Sequence, residues 1–309
     1  MTRLSLGLSA RKTPAWWPAN AVMAFDFRND RYMKDGAPVA RASVLSCASP
    51  SPRLAQDRSG HWHSFAPNVP AITNRGLFIQ PAATNYAPNA GRPELMSSSA
   101  PAGISRQVLS TQLINGLPTV TMRFSGTALA NGEIAINPVE YNAGPSAAPG
   151  QTWHAGVFLA VIAGTLPATS RLGIFEREAG HGLVDASYTA LPNSAMLTRI
   201  HVQRQLLTPT AARVTTSIRL VMVSGQYCDF TLAIGPADLS SDIDADLILT
   251  QGAPVTRSAD VTTFLLSTSQ GTINLETLDG TIVQAAASGA WALPATQRQA
   301  FSRAWYTSD

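Results

Sequence analysis

Charge, lysine and cysteine are scarce in this 309-residue sequence, and long apolar runs are missing. Charged residues make up 13% of it, against about 25% in an ordinary globular chain. The apolar share is ordinary, whereas a disordered chain would carry more charge and fewer apolar residues. No run of about 18 apolar residues occurs, which argues against a membrane span. The opening MTRLSLGLSARKTPAWWPAN holds no apolar core of signal-peptide length, so classical secretion is not expected. Lysine stands only at positions 12 and 34, and the 20 arginines are scattered singly. A nucleic-acid binder shows a basic stripe or cluster, so no nucleic-acid partner is expected. Arginine does clasp planar acidic groups, which suits an anionic glycan. Cys47 and Cys228 lie far apart, too few for a disulfide scaffold and too isolated for zinc, and read as free thiols. A Gly-Xaa-Ser-Xaa-Gly elbow and a Walker loop are both absent, which removes support for those enzyme classes.

What the sequence does contain is strand. Apolar and polar residues alternate through Thr119–Phe124, through Ile218, Leu220 and Met222, and through Phe230, Leu232 and Ile234, the mark of half-buried strands. Val157–Ile162 is apolar on both parities and reads as a central strand covered on both faces. Gly126, Asn131-Gly132, Gly144-Pro145, Pro149-Gly150 and Gly235-Pro236 punctuate these runs. Many short strands between turn signals, without alternating helices, predict an all-β fold: an antiparallel jelly-roll β-sandwich. Ala295–Tyr306 is the best of the few helical candidates. In GTINLETLDGTIVQ, Asp279-Gly280 between alternating residues predicts a hairpin, with Trp291 and Leu293 in a third strand. The expected organisation is an extended N-terminal segment, 1–85, then the jelly roll, 86–262, then a small C-terminal β unit, 263–309. Trp16 and Trp17, in a charge-poor segment, read as anchors of a subunit or particle interface.

Three clusters have the form of chemistry. His61 and His63 would share one side of a strand and suit a metal, but no third ligand is near, and polar loop surface is the plainer reading. Glu176 and Glu178 would share a strand face like the carboxylates of a glycoside hydrolase; Arg177 lies between them and a loop-like stretch follows. Asp242, Asp244 and Asp246 resemble the start of a calcium loop but lack the glycine and final glutamate of an EF-hand; alternation with Ile243 and Leu247 fits the beginning of a strand better. No cofactor is therefore expected, with a structural calcium ion between loops as the alternative. Aromatic and polar surface remains. Sugars offer apolar C–H faces ringed by hydroxyls, and flat aromatics with Asp, Asn, Arg and His at their edges bind them. The carbohydrate-binding candidates are Tyr188, Asp185, His181, Tyr141, Trp153 and Tyr227, with core packing the competing role for each and strongest for Trp153.

Several separated stretches resemble one family. RGLFIQPAATNYAPN (75–89) is similar to a "GLLIEPARTNL" signature found near the start of many phage tail and virion surface proteins, and VARASVLS (39–46) to the "FSRASTAT" before it. PGQTWHAGVFLAVIAG (149–164) resembles the "GQTYTFSVYVKAG" strand of the family's jelly roll, and GAPVTRSADV (252–261) its "VTRAADV" end piece. LETLDGTIVQ and AWALPATQRQ resemble a small closing unit. Gln80 stands where the family has Glu, and Ala83 where it has Arg, so a Glu–Arg pair is missing. The segment before Val255-Thr256-Arg257 is shortened. The resemblance implies a carbohydrate-binding-like jelly roll on a tail fibre or head spike of a phage or a gene-transfer-agent particle. It implies a virion surface location, synthesis in the host cytoplasm, binding without catalysis to host capsular polysaccharide, virion structural partners and a homo-oligomer, a trimer foremost. On this reading Leu77–Ile79 stitches modules together, and Asn85-Tyr86 starts the next one. A polysaccharide lyase or hydrolase, or a purely structural adaptor or decoration protein, are the alternatives.

Overall fold

The computed structural model describes residues 16–241, 244 and 246–309. Asp242 and the first fifteen residues of the expected N-terminal segment lie outside them. The chain forms two compact units, Pro81–Ala259 and a second that joins residues up to Gln80 with Asp260–Asp309. No helix of the described residues is long and apolar enough to cross a membrane.

Pro81–Ala259 is a two-sheet antiparallel sandwich, as its alternating pattern predicts. One sheet runs Ser97–Ser99, Gly132–Asn137, Arg213–Met222, Ser170–Arg177, Leu183–Ala190. The other runs Ile104–Ile114, Leu117–Thr127, Tyr227–Ser241, Thr152–Ala163, Thr198–Gln205. Every pairing in both sheets is antiparallel. Side chains of one parity from each sheet meet between them, including Val120, Met122, Phe124, Ile174, Ile218 and Phe230. The Phe124 and Phe230 rings stack with centroids 5.6 Å apart. Burying side chains of this size contributes about 1.5–3 kcal/mol each. Thr152–Ala163 is buried without a break from Trp153 to Val161, as its two-parity apolar run predicts, but Ile162, the last residue of that run, is exposed. A short ladder of Ala83–Asn85 with Val255–Arg257 brings the two ends of this unit together.

The other unit is built on a sheet in which Ile282–Ala287, Gly271–Thr277, Gln299–Ser308, Met23–Asp26 and Arg31–Lys34 lie side by side. Leu275, Ala304, Phe25 and Tyr32 form one row across it, since each is the register partner of the next. Gly76–Ile79 is fully buried and pairs with both Ala71–Thr73 and the beginning of Gln299–Ser308. The Asp279-Gly280 hairpin forms as expected: Gly280 takes φ +92°, and Thr277 N–H donates to the Thr281 carbonyl at 2.8 Å.

Four expectations are corrected here. Residues 263–309 are no unit of their own: their hairpin has one apolar face, and Phe25, Phe27 and Leu77 from the N-terminal half complete its core. Ala295–Tyr306 holds no helix, because Phe301, Ala304 and Tyr306 pair as strand residues between two neighbours. Trp291 and Leu293 are in a strand, Ala290–Leu293, but it joins Val261–Leu265 and Leu45–Ala48 rather than extending the hairpin. Trp17 is 7% exposed and packs with Ala21, Ala24 and Met33 on the back of the sheet. That side chain is used inside its own unit, and Trp16 packs beside it with ring centroids 6.1 Å apart.

Candidate functional site

The sandwich presents one outward face that combines aromatic and cationic groups. Along Ser170–Arg177, Leu172 and Ile174 point into the core, which sends Arg171, Gly173, Phe175 and Arg177 outward by the period of two. Their register partners Tyr188, Arg213, Thr215, Ser217 and Arg219 share that face. Gly173 leaves room for the rings: a Cβ there would stand 2.8 Å from Phe175 Cζ and 3.0 Å from Tyr188 Cδ1. The Arg171 guanidinium lies 3.9 Å from the Tyr188 ring centre. Phe175 meets Tyr188 edge-on at 5.7 Å and carries Arg219 at 5.3 Å. Arg177 lies 5.8 Å from the Tyr141 ring centre, and Tyr141 meets His181 edge-on at 6.5 Å. Arg177 is fixed by bonds to Thr215 Oγ1 at 3.0 Å and the His181 carbonyl at 2.8 Å. Glu133 accepts from Arg171 at 3.4 Å and from Arg219 at 3.3 Å. Of the four outward arginines, Arg171, Arg177, Arg213 and Arg219, the first and last pair with Glu133, the one carboxylate on the outward side of these strands, and Arg177 and Arg213 bond to neutral groups.

Three of the expected sugar-contacting residues, Tyr188, Tyr141 and His181, gather here around Phe175 and Arg177. Tyr188 is 41% exposed and Tyr141 56%. The other three do not join them. Trp153 is 1% exposed and packs in the core against Tyr86, with no ring face to offer. Asp185 pairs with inward Glu176 in register and is taken up by Arg204 at 2.5 Å. A backbone hydrogen bond from Ala186, then Arg204, holds its carboxyl below the usual range. Tyr227 is exposed but lies on the outward side of the opposite sheet, beside Thr127. Arg171, Phe175, Arg177 and Arg219 were not singled out from the sequence, although the period-two run Arg171-Leu-Gly-Ile-Phe-Glu-Arg177 carries three of them in plain view.

The paired-carboxylate constellation does not form. Glu176 is fully buried and bonded to Arg204 Nε at 2.5 Å. The strand ends at Arg177, and Glu178 belongs to the following turn, where His181 adopts φ +68°. His61 and His63 lie with ring centroids 5.0 Å apart, and His63 Nε2 is 2.9 Å from Asp57. Bonds from His63 and Ser59 hold the Asp57 carboxyl well below its ordinary range. Asp244 and Asp246 follow the end of Tyr227–Ser241 and are not in a strand, contrary to the alternation. Cys47 and Cys228 are free thiols. A separate cleft of about 620 Å³ in the other unit is mainly apolar, with Leu275, Val283, Trp291 and Phe301 among its walls.

On the outward side of the second sheet sits a different polar cluster. His154 and His201 stack with ring centroids 5.5 Å apart. Asp244 Oδ1 lies 3.7 Å from His201 Nε2 and 2.9 Å from Arg199 Nη2. Arg199 also makes a two-point contact with Asp238, at 3.3 and 2.9 Å. Gly156 gives that pair its space, since a Cβ there would stand 2.6 Å from Asp238 Oδ1. Burial pushes the His154 pKa down. Burial opposes ionisation of Asp244 as well, but Arg199, His201 and His154 together keep its carboxyl below the usual range.

No protein-family model and no curated protein matches the chain. Among solved structures, it overlaps an arabinose-bound α-L-arabinofuranosidase, MgGH51, at TM-score 0.34 and 11% identity, over 53% of this chain and 27% of that one. The enzymatically active domain of tailspike protein 4 from bacteriophage CBA120 gives 0.31 and 11%, over 50% and 21%. The CBM22-1–CBM22-2 tandem domain of Paenibacillus barcinonensis Xyn10C gives 0.33 and 7%, over 74% and 91%. At such scores these likenesses say nothing of what this chain binds. Its all-β sandwich is established by its own strand pairing.

Proposed function

We propose that this protein binds an acidic polysaccharide, without cleaving it, on the outward face around Tyr188, Phe175 and Tyr141. The observation that carries the reading is the coincidence of an exposed tyrosine, Tyr188, with four arginines on one sheet face and of a second exposed tyrosine, Tyr141, in the turn beside Arg177. Tyrosine rings suit the C–H faces of sugars, and guanidinium groups suit carboxylates or sulfates on the same polymer. Because Glu133 is the one outward carboxylate in register with those arginines, a uronic or sulfated polymer brings the charge that the face lacks. A neutral glycan would leave the arginines with less to do.

The role we assign is attachment: a tail fibre or head spike of a phage or gene-transfer-agent particle, holding host capsule. The family-like stretches 39–46 and 75–89 support that setting. Several weak sites on one particle give useful avidity through effective concentration. Ile104–Ile114 supports self-association, as an outer strand of its sheet whose Leu113 is 72% exposed and Leu109 48%. An array of acidic and neutral polysaccharides tests the reading, paired with adsorption to cells with and without capsule. Binding confined to acidic polymers and lost with the capsule supports it. Undiminished attachment to capsule-free cells removes it and leaves the adaptor role. Shortening of the polymer would instead favour a lyase or hydrolase.

A further inference from the structure

We infer that His154, His201 and Asp244 form a binding site for a divalent transition-metal ion of the zinc type. One ligand atom from each lies within 4.8 Å of those of the other two. The residues come from three places, the Thr152–Ala163 strand, the Thr198–Gln205 strand and the segment after Ser241, so sequence spacing gives no hint of them.

The second observation is independent of this proximity. His154 is 7% exposed, and its Nδ1 is buried with no hydrogen-bond partner; His201 Nε2 is buried and equally unsatisfied. Buried imidazole nitrogens without partners cost stability, and such groups call for an explanation such as an ion. Two ligands on a tetrahedral ion with bonds of about 2.0–2.1 Å stand roughly 3.3–3.4 Å apart. His201 Nε2 and Asp244 Oδ1, at 3.7 Å, are already close to that spacing, so modest movement of His154 completes three ligands.

Arg199 is the competitor, since it holds the same Asp244 oxygen. It need not leave the cluster to yield that oxygen, because Asp238 keeps it by two hydrogen bonds. Two carboxylates, Asp238 and Asp244, face the single guanidinium of Arg199, which favours a cation over an anion here. Two nitrogen donors and one carboxylate select zinc-type ions over calcium, which takes oxygen ligands. The ion would tie the segment following Ser241 to two strands of the sheet, a structural role separate from the tyrosine face.

The test uses the full chain stripped with chelator, then titrated with Zn²⁺ by calorimetry, with thermal unfolding followed in parallel. His201→Gln and Asp244→Asn are chosen because both residues are partly or well exposed and the fold does not depend on them; His63→Gln is the control. The wild type and H63Q should bind one Zn²⁺ per chain and gain Tm. H201Q and D244N should each bind about tenfold or more weaker and gain nothing, with unchanged circular dichroism. Excess Ca²⁺ should not compete. Absence of stoichiometric Zn²⁺ binding in the wild type overturns the inference, as does binding that survives H201Q and D244N or that depends on His63.

Discussion

Asn85 is 2% exposed, and all four hydrogen-bonding positions of its amide are filled. Its Nδ2 donates to the Ala237 and Ile248 carbonyls at 3.0 and 2.8 Å, and its Oδ1 accepts from Ala87 and Leu239 at 3.0 Å each. Asn85→Ala would strand buried backbone groups and should lower stability by about 2 kcal/mol or more, read by denaturant unfolding. The compact unit of the sandwich begins at Pro81, ahead of the expected boundary at 85/86; the reason for an asparagine at 85 is not legible in the sequence, because three of its four partners, Ala237, Leu239 and Ile248, lie more than 150 residues away. Arg53 and Asp260, both fully buried, form a pair at 2.9 Å that is not aligned as a hydrogen bond, and Asp260 Oδ2 accepts from Gln80 N–H at 2.9 Å. At Asp185 the folded pKa is depressed, so its contribution is full above its unfolded value near 3.9 and lost as pH falls through the folded value. The stability gap between wild type and Asp185→Asn should therefore close in acid below about pH 4. A gap that persists there would contradict the Arg204 contact.

The strand Ser170–Arg177 shows how far a periodic pattern carries. Its alternation fixes which side chains face out, yet the pairing of Glu176 with Glu178 assumed that the strand continues. It stops because His181, at φ +68°, turns the chain back, and no residue type in IFEREAGHG announces a left-handed histidine. The Ala295–Tyr306 stretch misled for a related reason: its pattern suits neither period well, and pairing with neighbours on both sides decides it. Gly173 is the element's informative position. Gly173→Ala would push Phe175 and Tyr188 aside at their ring edges. It should weaken acidic-glycan binding about tenfold, about 1.4 kcal/mol, while Tm moves by only a few degrees. A large Tm loss with intact binding would place the rings in a packing role alone.

Across the whole chain, the central sandwich brings its ends together through Ala83–Asn85 and Val255–Arg257, whereas the other unit draws its sheet from both halves of the sequence. A fragment spanning 81–259 should therefore fold with a cooperative transition, and 260–309 alone should not, by circular dichroism and proteolysis. Composition and alternation were enough to read the sandwich. They could not reveal that the first and last segments share a core, since nothing local in Phe25 or Leu275 names its partner.

Equilibrium binding of an acidic polysaccharide to wild type, Tyr188→Ala and Tyr227→Ala tests the glycan reading most directly, because the two tyrosines lie on opposite outward faces of the sandwich. The account predicts about tenfold weaker binding for Y188A, wild-type affinity for Y227A and an unchanged polymer length throughout. Loss of binding in Y227A with Y188A unaffected, or a shortened polymer, would contradict it.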